Sequence, residues 1–250
     1  MTTDDYPAVR VLGRLELLDD AGRPVPLAGR RLRRLAAMLI VHRGRIVRTG
    51  TLAETVFADV PPLHPAAALH SLAARLRRTV GEALTSADGG YALRARTDAA
   101  AFEAALGGDD HTARETARTL GRALDLWRGT AYAEFLDLPV LAAESGRLEL
   151  RRLDAVERRA EALLAIGRAA DAVGELEALL TEHPFRERAH AALMRALYAT
   201  GCHNDALRHY AAYRRFLTTE LGLEPTPALR QLHHDILRHD IAWTADRLAV

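Results

Sequence analysis

Not one lysine occurs among the 250 residues; all 34 basic side chains apart from histidine are arginine. That absence removes a P-loop lysine, a kinase lysine and a Schiff-base lysine together, because each of those chemistries needs a primary amine at a fixed place. Arginine beside abundant alanine and leucine reads as the bias of a GC-rich genome. Cysteine is nearly missing as well. Cys202 stands alone, so an internal disulfide framework is excluded, as is a structural zinc site built on it, and it reads as a small turn residue. No apolar run approaches the roughly 18 residues a membrane helix needs. The opening MTTDDYPAVR has neither the basic nor the apolar region of a secretory signal. The expected location is the cytoplasm, with no membrane partner.

Catalytic motifs are lacking too. There is no G-x-S-x-G, no H-E-x-x-H and no glycine-rich phosphate loop. Glu144, Glu149, Glu157 and Glu161 read as the polar side of a long helix rather than as a catalytic pair. His233, His234 and His239 lie beside Asp235 and Asp240, and Asp235 and His239 share a helical face, but no matched ligand set accompanies them elsewhere. Neither enzyme activity nor a metal or cofactor is expected.

What is present is uneven. A length of 250 residues, 49% hydrophobic and 27% charged, suits two globular domains with cores of their own. Residues 1–98 hold 15 arginines against 10 acids, a net of +5, whereas residues 99–250 hold 19 against 23, a net of −4. A basic N-terminal domain beside an acidic one fits a nucleic-acid-binding module joined to a second task.

Val9–Leu12, Leu15–Leu18 and Pro24–Leu27 are short β patterns around Gly13 and the turn Asp19–Gly22, predicting a small antiparallel sheet. Leu32, Leu35, Ala36, Leu39 and Ile40 then recur at helical spacing, closed by Gly44. Arg30, Arg31, Arg33 and Arg34 crowd the first turn of that helix, the wrong end of its dipole for cations, which favours a role such as gripping a phosphate. After the extended Arg45–Arg48, the capping box Thr51-Leu-Ala-Glu54 opens a second helix through Phe57, with Thr49 as the alternative cap.

Pro65–Gly81, PAAALHSLAARLRRTVG, is the stretch around which the chain is organised. Leu69, Leu72, Ala73, Leu76 and Val80 commit one helical face to a core, and Pro65 suits the first turn. The opposite face carries Ala67, Ser71, Ala74 and Arg78, flanked by Arg75, His64 and His70. Short side chains allow close entry into a major groove, and guanidinium forks match phosphates and guanine edges. This is the expected recognition helix, with Arg78 and Ser71 toward the groove and Arg77 at the shoulder where a phosphate lies. Asp88-Gly-Gly is a hairpin turn before the strand Tyr91–Ala95, with Arg94 and Arg96 placed near the tip side. Helix-turn-helix followed by a hairpin is the layout of a winged helix.

Ala99–Leu106 is a short helix and Gly107–Asp110 the most polar, flexible piece of the seam. From there Thr112–Trp127, Ala142–Ile166, Ala169–Glu182, Glu187–Ala199, Asn204–Leu221 and Pro227–Asp240 all read as helices. Leu163–Ala172 aligns with Leu197–Ala206 at a shift of 34 residues, the tetratricopeptide period. Gly167 and Gly201 make the turns, Ala172 and Ala206 allow close helix approach, and Leu176 and Tyr210 fill the next layer.

LAGRRLRRLAAML, ALHSLAARLRRTVG, GYAL, DAAAFEAAL, LDLWRG, HPFRERAHAALMRALYATG and TELGLEPTPALRQLHHDIL together resemble a small SARP-type (Streptomyces antibiotic regulatory protein) transcription activator, over nearly all of residues 9–240. The most specific pieces are Leu221–Pro225 with Pro227, and His183–Arg188. The resemblance implies an OmpR-like α+β winged helix in residues 1–98 and an all-α tetratricopeptide-like bacterial transcriptional activation domain in residues 99–250. It also implies binding to direct repeats in double-stranded promoter DNA, with a possible homodimer there. Recruitment of RNA polymerase holoenzyme through its sigma factor, often at secondary-metabolite clusters, is implied in the same way. Many relatives carry a polar residue where this chain has Ala67, which can offer only an apolar contact, for instance to a thymine methyl. The phosphoacceptor and ATPase domains of larger relatives are not in this sequence, so regulation is expected through the helical domain, expression level or a partner. The competing reading is a helical-repeat adaptor with a degenerate DNA-binding domain; arginines kept at 75, 77, 78, 94 and 96 favour the activator.

Overall fold

The computed structural model describes residues 6–108 and 112–239. The chain divides into two compact units, Met1–Ala104 with Asp125–Arg151, and Ala105–Leu124 with Arg152–Val250. The single boundary expected between 98 and 99 is therefore not where packing divides the chain.

In the first unit, Ala8–Arg10 (β1), Glu16–Leu18 (β2) and Pro24–Val25 (β3) form the expected antiparallel sheet. A fourth strand, Arg96–Thr97 (β7), adds parallel to β1, giving the order β3-β2-β1-β7. Two residues are too short for a periodic signal, so β7 was not legible in advance. Arg30–Val41 (α1) buries Leu35, Ala36 and Leu39 completely. Val47–Arg48 (β4), Thr49–Val56 (α2) and Pro65–Val80 (α3) follow, then the hairpin Leu84–Ala87 (β5) and Gly90–Leu93 (β6). These strands form a second sheet, β4-β6-β5, with Val47 opposite Tyr91. Gly90 is required there, because a Cβ would lie 2.4 Å from the Val47 carbonyl oxygen.

Neither candidate threonine caps α2. The helix begins at Thr49 with Arg48 as its uncapped N-cap. The Thr49 hydroxyl donates instead to the Gly89 carbonyl at 2.7 Å, and the Thr49 N–H reaches the same oxygen at 3.0 Å. The Thr49 side chain is thus held on the wing turn rather than accepting a first-turn N–H as a local cap would.

Residues 125–151 return to the first unit by extending its edge. Arg128 N–H donates to the Leu12 carbonyl at 2.8 Å and Tyr132 N–H to that of Val11 at 2.9 Å. Trp127 meets Phe102 edge to face, centroids 5.4 Å apart. Phe102 belongs to Asp98–Leu106 (α4), whose Ala100 N–H is capped by the Thr97 hydroxyl at 3.0 Å.

The second unit is helical throughout its described residues: Ala113–Leu124 (α5), the later part of Pro139–Ala165 (α6), Ala169–Glu182 (α7), Glu187–Ala199 (α8), His203–Leu221 (α9) and Pro227–Arg238 (α10). A Thr112/Glu115 capping box opens α5. The two turns of the repeat are superposable in their bonding. Gly167 N–H donates to Leu164 and Arg168 N–H to Leu163; Gly201 and Cys202 do the same to Tyr198 and Leu197. Both glycines are left-handed, φ 76° and 81°, as this helix ending requires. Ala172, Leu176 and Ala206 are fully buried, which makes the 34-residue period a packing period.

Glu157 departs from the expected polar stripe. It is wholly buried on α6 and paired with Arg186 at 3.0 Å. Burial pushes its carboxyl up, against the pull of Arg186 and Arg188. Helical spacing could not separate it from Glu161, which stays in contact with solvent and with Arg188.

Candidate nucleic-acid interface

α3 has the two faces its sequence demands. Leu69, Leu72, Ala73, Leu76 and Val80 are buried, while Ala67, His70, Ser71, Ala74, Arg75, Arg77 and Arg78 are exposed. At about 100° per residue, Ala67, Ser71, Ala74 and Arg78 lie within about 40° of the direction opposite the core. Arg78 has no hydrogen-bond or ionic partner among the described residues. The Ser71 hydroxyl donates back to the Ala67 carbonyl at 3.1 Å. The rows on either side are partly engaged: Arg75 donates to the Ala28 carbonyl at 3.2 Å, Arg77 Nε to that of Leu84 at 3.5 Å, and His70 Nδ1 lies 2.6 Å from the Tyr91 hydroxyl.

Two of the expected contacts stand elsewhere. The tip of the hairpin is Asp88-Gly89, exposed and acidic. Arg94 follows β6 at the opposite end, where its guanidinium donates to the Tyr6 hydroxyl at 3.1 Å and its stem packs on Gly44. Arg96 belongs to β7 in the other sheet and donates to the Tyr6 carbonyl at 3.1 Å. A hairpin puts residues five or more positions past its turn at its base, so Arg94 and Arg96 stand away from the tip side where the sequence places them.

The arginines of the first turn of α1 are also committed. Arg34 is 1% exposed and pairs with Asp59 at 3.0 Å and with Asp137. Arg30 bridges the same two carboxylates, each at 3.1 Å. Arg33 joins Glu134 and donates to the Leu15 carbonyl at 2.8 Å. Arg31 donates to the Val60 carbonyl at 2.9 Å and lies over the Phe57 ring. Carboxylates about 100 residues later in the chain offset the unfavourable helix dipole, so no bound phosphate is needed to explain these cations. Sequence reasoning passed over Arg48. It is exposed at the start of α2, opposite Gly90 of the wing strand, and has no partner among the described residues.

In the second unit His233 stacks on Tyr210, centroids 4.0 Å apart, and Asp240 lies outside the described residues. No group of His, Cys, Asp and Glu among the described residues is placed to hold a metal ion. No helix among them is long and apolar enough to cross a membrane.

A winged helix with a small, arginine-bearing recognition face, in a chain whose other unit is a stack of helical hairpins, is the class of protein defined by these elements. Residues 95–237 match the bacterial transcriptional activator domain. The regulatory protein AfsR of Streptomyces griseus is 37% identical over 87% of the chain, which spans 23% of AfsR. EmbR, a transcriptional regulatory protein of Mycobacterium tuberculosis, is 33% identical over 91% of the chain, which spans 62% of EmbR. The regulatory protein DnrI of Streptomyces peucetius is 31% identical, with 93% of this chain and 92% of DnrI aligned. The solved structure of M. tuberculosis EmbR in complex with a low-affinity phosphopeptide is similar at a TM-score of 0.84 and 31% identity, over 98% of this chain and 68% of that one. The chain belongs to the SARP-type transcriptional regulators.

Proposed function

We propose that the chain is a sequence-specific DNA-binding transcriptional activator that docks α3 in the major groove of promoter DNA and acts in the cytoplasm. The observation that carries this reading is the exposed face of α3, where Arg78 stands without a protein partner among Ala67, Ser71 and Ala74. Small neighbours let the helix axis approach the base edges, and the free guanidinium supplies a fork for a guanine. Arg75, Arg77 and Arg48 are suited to phosphates on either side. Binding to direct repeats as two copies, and contact of the helical unit with RNA polymerase holoenzyme and its sigma factor, belong to the same proposal. Regulation of a secondary-metabolite cluster, as the resemblance to antibiotic regulatory proteins implies, is its biological form.

Asp88 at the wing tip and the turning away of Arg94 and Arg96 lend some support to the alternative, an adaptor whose DNA-binding domain is degenerate. Selection of duplexes from a random-sequence pool by the wild-type chain separates the two. The activator enriches a defined repeat; an adaptor enriches none.

A further inference from the structure

On α3, His70 and Arg77 lie about 100° and 80° from the centre of the buried face, on one shoulder of the helix. Both touch the wing, Arg77 through Nε alone, which leaves its terminal nitrogens for a phosphate. Arg77 Nε reaches the Leu84 carbonyl of β5 at 3.5 Å, and His70 Nδ1 sits 2.6 Å from the hydroxyl of Tyr91 on β6, with the rings edge to face. Tyr91 is itself buried, at 7% exposure, and held in register opposite Val47. The same strand begins beside Gly89, whose carbonyl takes both donors of Thr49 at the start of α2. Both helices of the helix-turn-helix are therefore tied to one hairpin. The tip of that hairpin carries Asp88, which repels phosphate.

We propose that His70 and Tyr91 are a positioning pair for base reading: their hydrogen bond sets the rotation of α3 about its own axis, and the wing serves as a brace. The inference rests on the DNA-binding reading above. Rotation matters because side-chain tips lie about 5–6 Å from a helix axis, so a turn of about 20° moves them by about 2 Å. That exceeds what a bidentate hydrogen bond tolerates. Phosphate contacts by long arginines absorb such a shift, so the pair governs discrimination more than overall affinity. His70, which the sequence places among the DNA contacts, acts through Tyr91 instead.

The test is a double-mutant cycle in the full chain, using the duplex selected by the wild type and a random duplex. Tyr91→Phe removes one hydroxyl, and His70→Leu removes its partner at an exposed helix position that tolerates the change. Each should lower affinity for the selected duplex about fivefold, leave the random duplex unchanged, and add nothing to the other when combined. His70→Asn, whose side-chain amide reaches the place of Nδ1, should restore discrimination. Thermal melts verify folding of each variant. Hydrogen exchange at the amides of Leu69–Ala74 should speed up in both single variants without DNA. Equal discrimination by Tyr91→Phe and wild type overturns the proposal, and so do multiplying losses, which would make His70 a direct contact. A wild type that enriches no duplex defeats the DNA-binding reading itself, a result distinct from either.

Discussion

The carboxylate of Asp98 accepts the backbone N–H of Val11 at 2.7 Å and that of Leu12 at 3.2 Å, closing the first turn of α4 onto the end of β1. The Ala99 N–H adds a third donor at 2.9 Å and the Arg128 guanidinium a fourth at 3.3 Å. Burial pushes the carboxyl up while the Val11, Leu12 and Arg128 donors pull it down, and burial prevails. Asp98→Ala should take the carboxylate acceptor from three main-chain N–H groups, those of Val11, Leu12 and Ala99, and cost about 2–4 kcal/mol. Asp98→Asn keeps an acceptor and should cost less. Urea unfolding reads both as a lower midpoint at unchanged slope.

Truncation is predicted to respect packing rather than sequence order. A cut at Gly107 or Gly108 strips residues 125–151 from the first unit, removing Asp137 from buried Arg34 and Trp127 from Phe102. Arg34 keeps Asp59 at 3.0 Å, but its buried guanidinium loses one of two carboxylates while Phe102 loses the Trp127 ring, and a small domain has little stability to spare. A 1–108 fragment should therefore melt early or fail to fold, whereas 1–151 should be folded. Circular dichroism melts compare them; equal melting of the two fragments would count against the division. Asp109 and Asp110 lie outside the described residues.

Arg78→Ala should lose about 1–3 kcal/mol on the selected duplex, little on random DNA, and relax preference at one position. Arg77→Ala should weaken both duplexes alike and reduce the salt slope by about one. Titrations at several salt concentrations distinguish them, and equal losses on both duplexes would reduce Arg78 to a phosphate contact.

Acid should destabilise the second unit through a histidine pair. His190 Nε2 lies 2.9 Å from the Pro184 carbonyl and must donate to it, so its Nδ1 accepts from His209 Nε2 at 2.8 Å in the neutral pair. Burial lowers both, His209 to about 4, helped there by the neighbouring His190. Below the ordinary histidine value of about 6.5 the unfolded chain binds protons that the folded one refuses. Stability is then full above about pH 6.5 and is lost as pH falls toward 4. Allowing for partial exposure, about 1–2 kcal/mol is at stake, or roughly 3–6 °C in the melting midpoint. His209→Gln should flatten this dependence between pH 7 and pH 5; an unchanged slope would assign it to other groups.

Local patterns determined most of what is described. Leucines at helical spacing can be buried together on only one face, so the exposed set of α3 was readable from Leu69, Leu72 and Leu76 alone. The 34-residue shift was readable because each turn needs its own left-handed glycine, and Gly167 and Gly201 repeat at that interval. The family followed from motifs in the same way. Tertiary structure decided what depends on partners distant in sequence. That Arg34 answers Asp137, that Tyr91 holds His70, that Arg94 stands at the hairpin's base and that Glu157 is buried are set by chain return and sheet register. Charge and periodicity along one segment carry no record of which group some 20 to 100 residues away will neutralise or orient it.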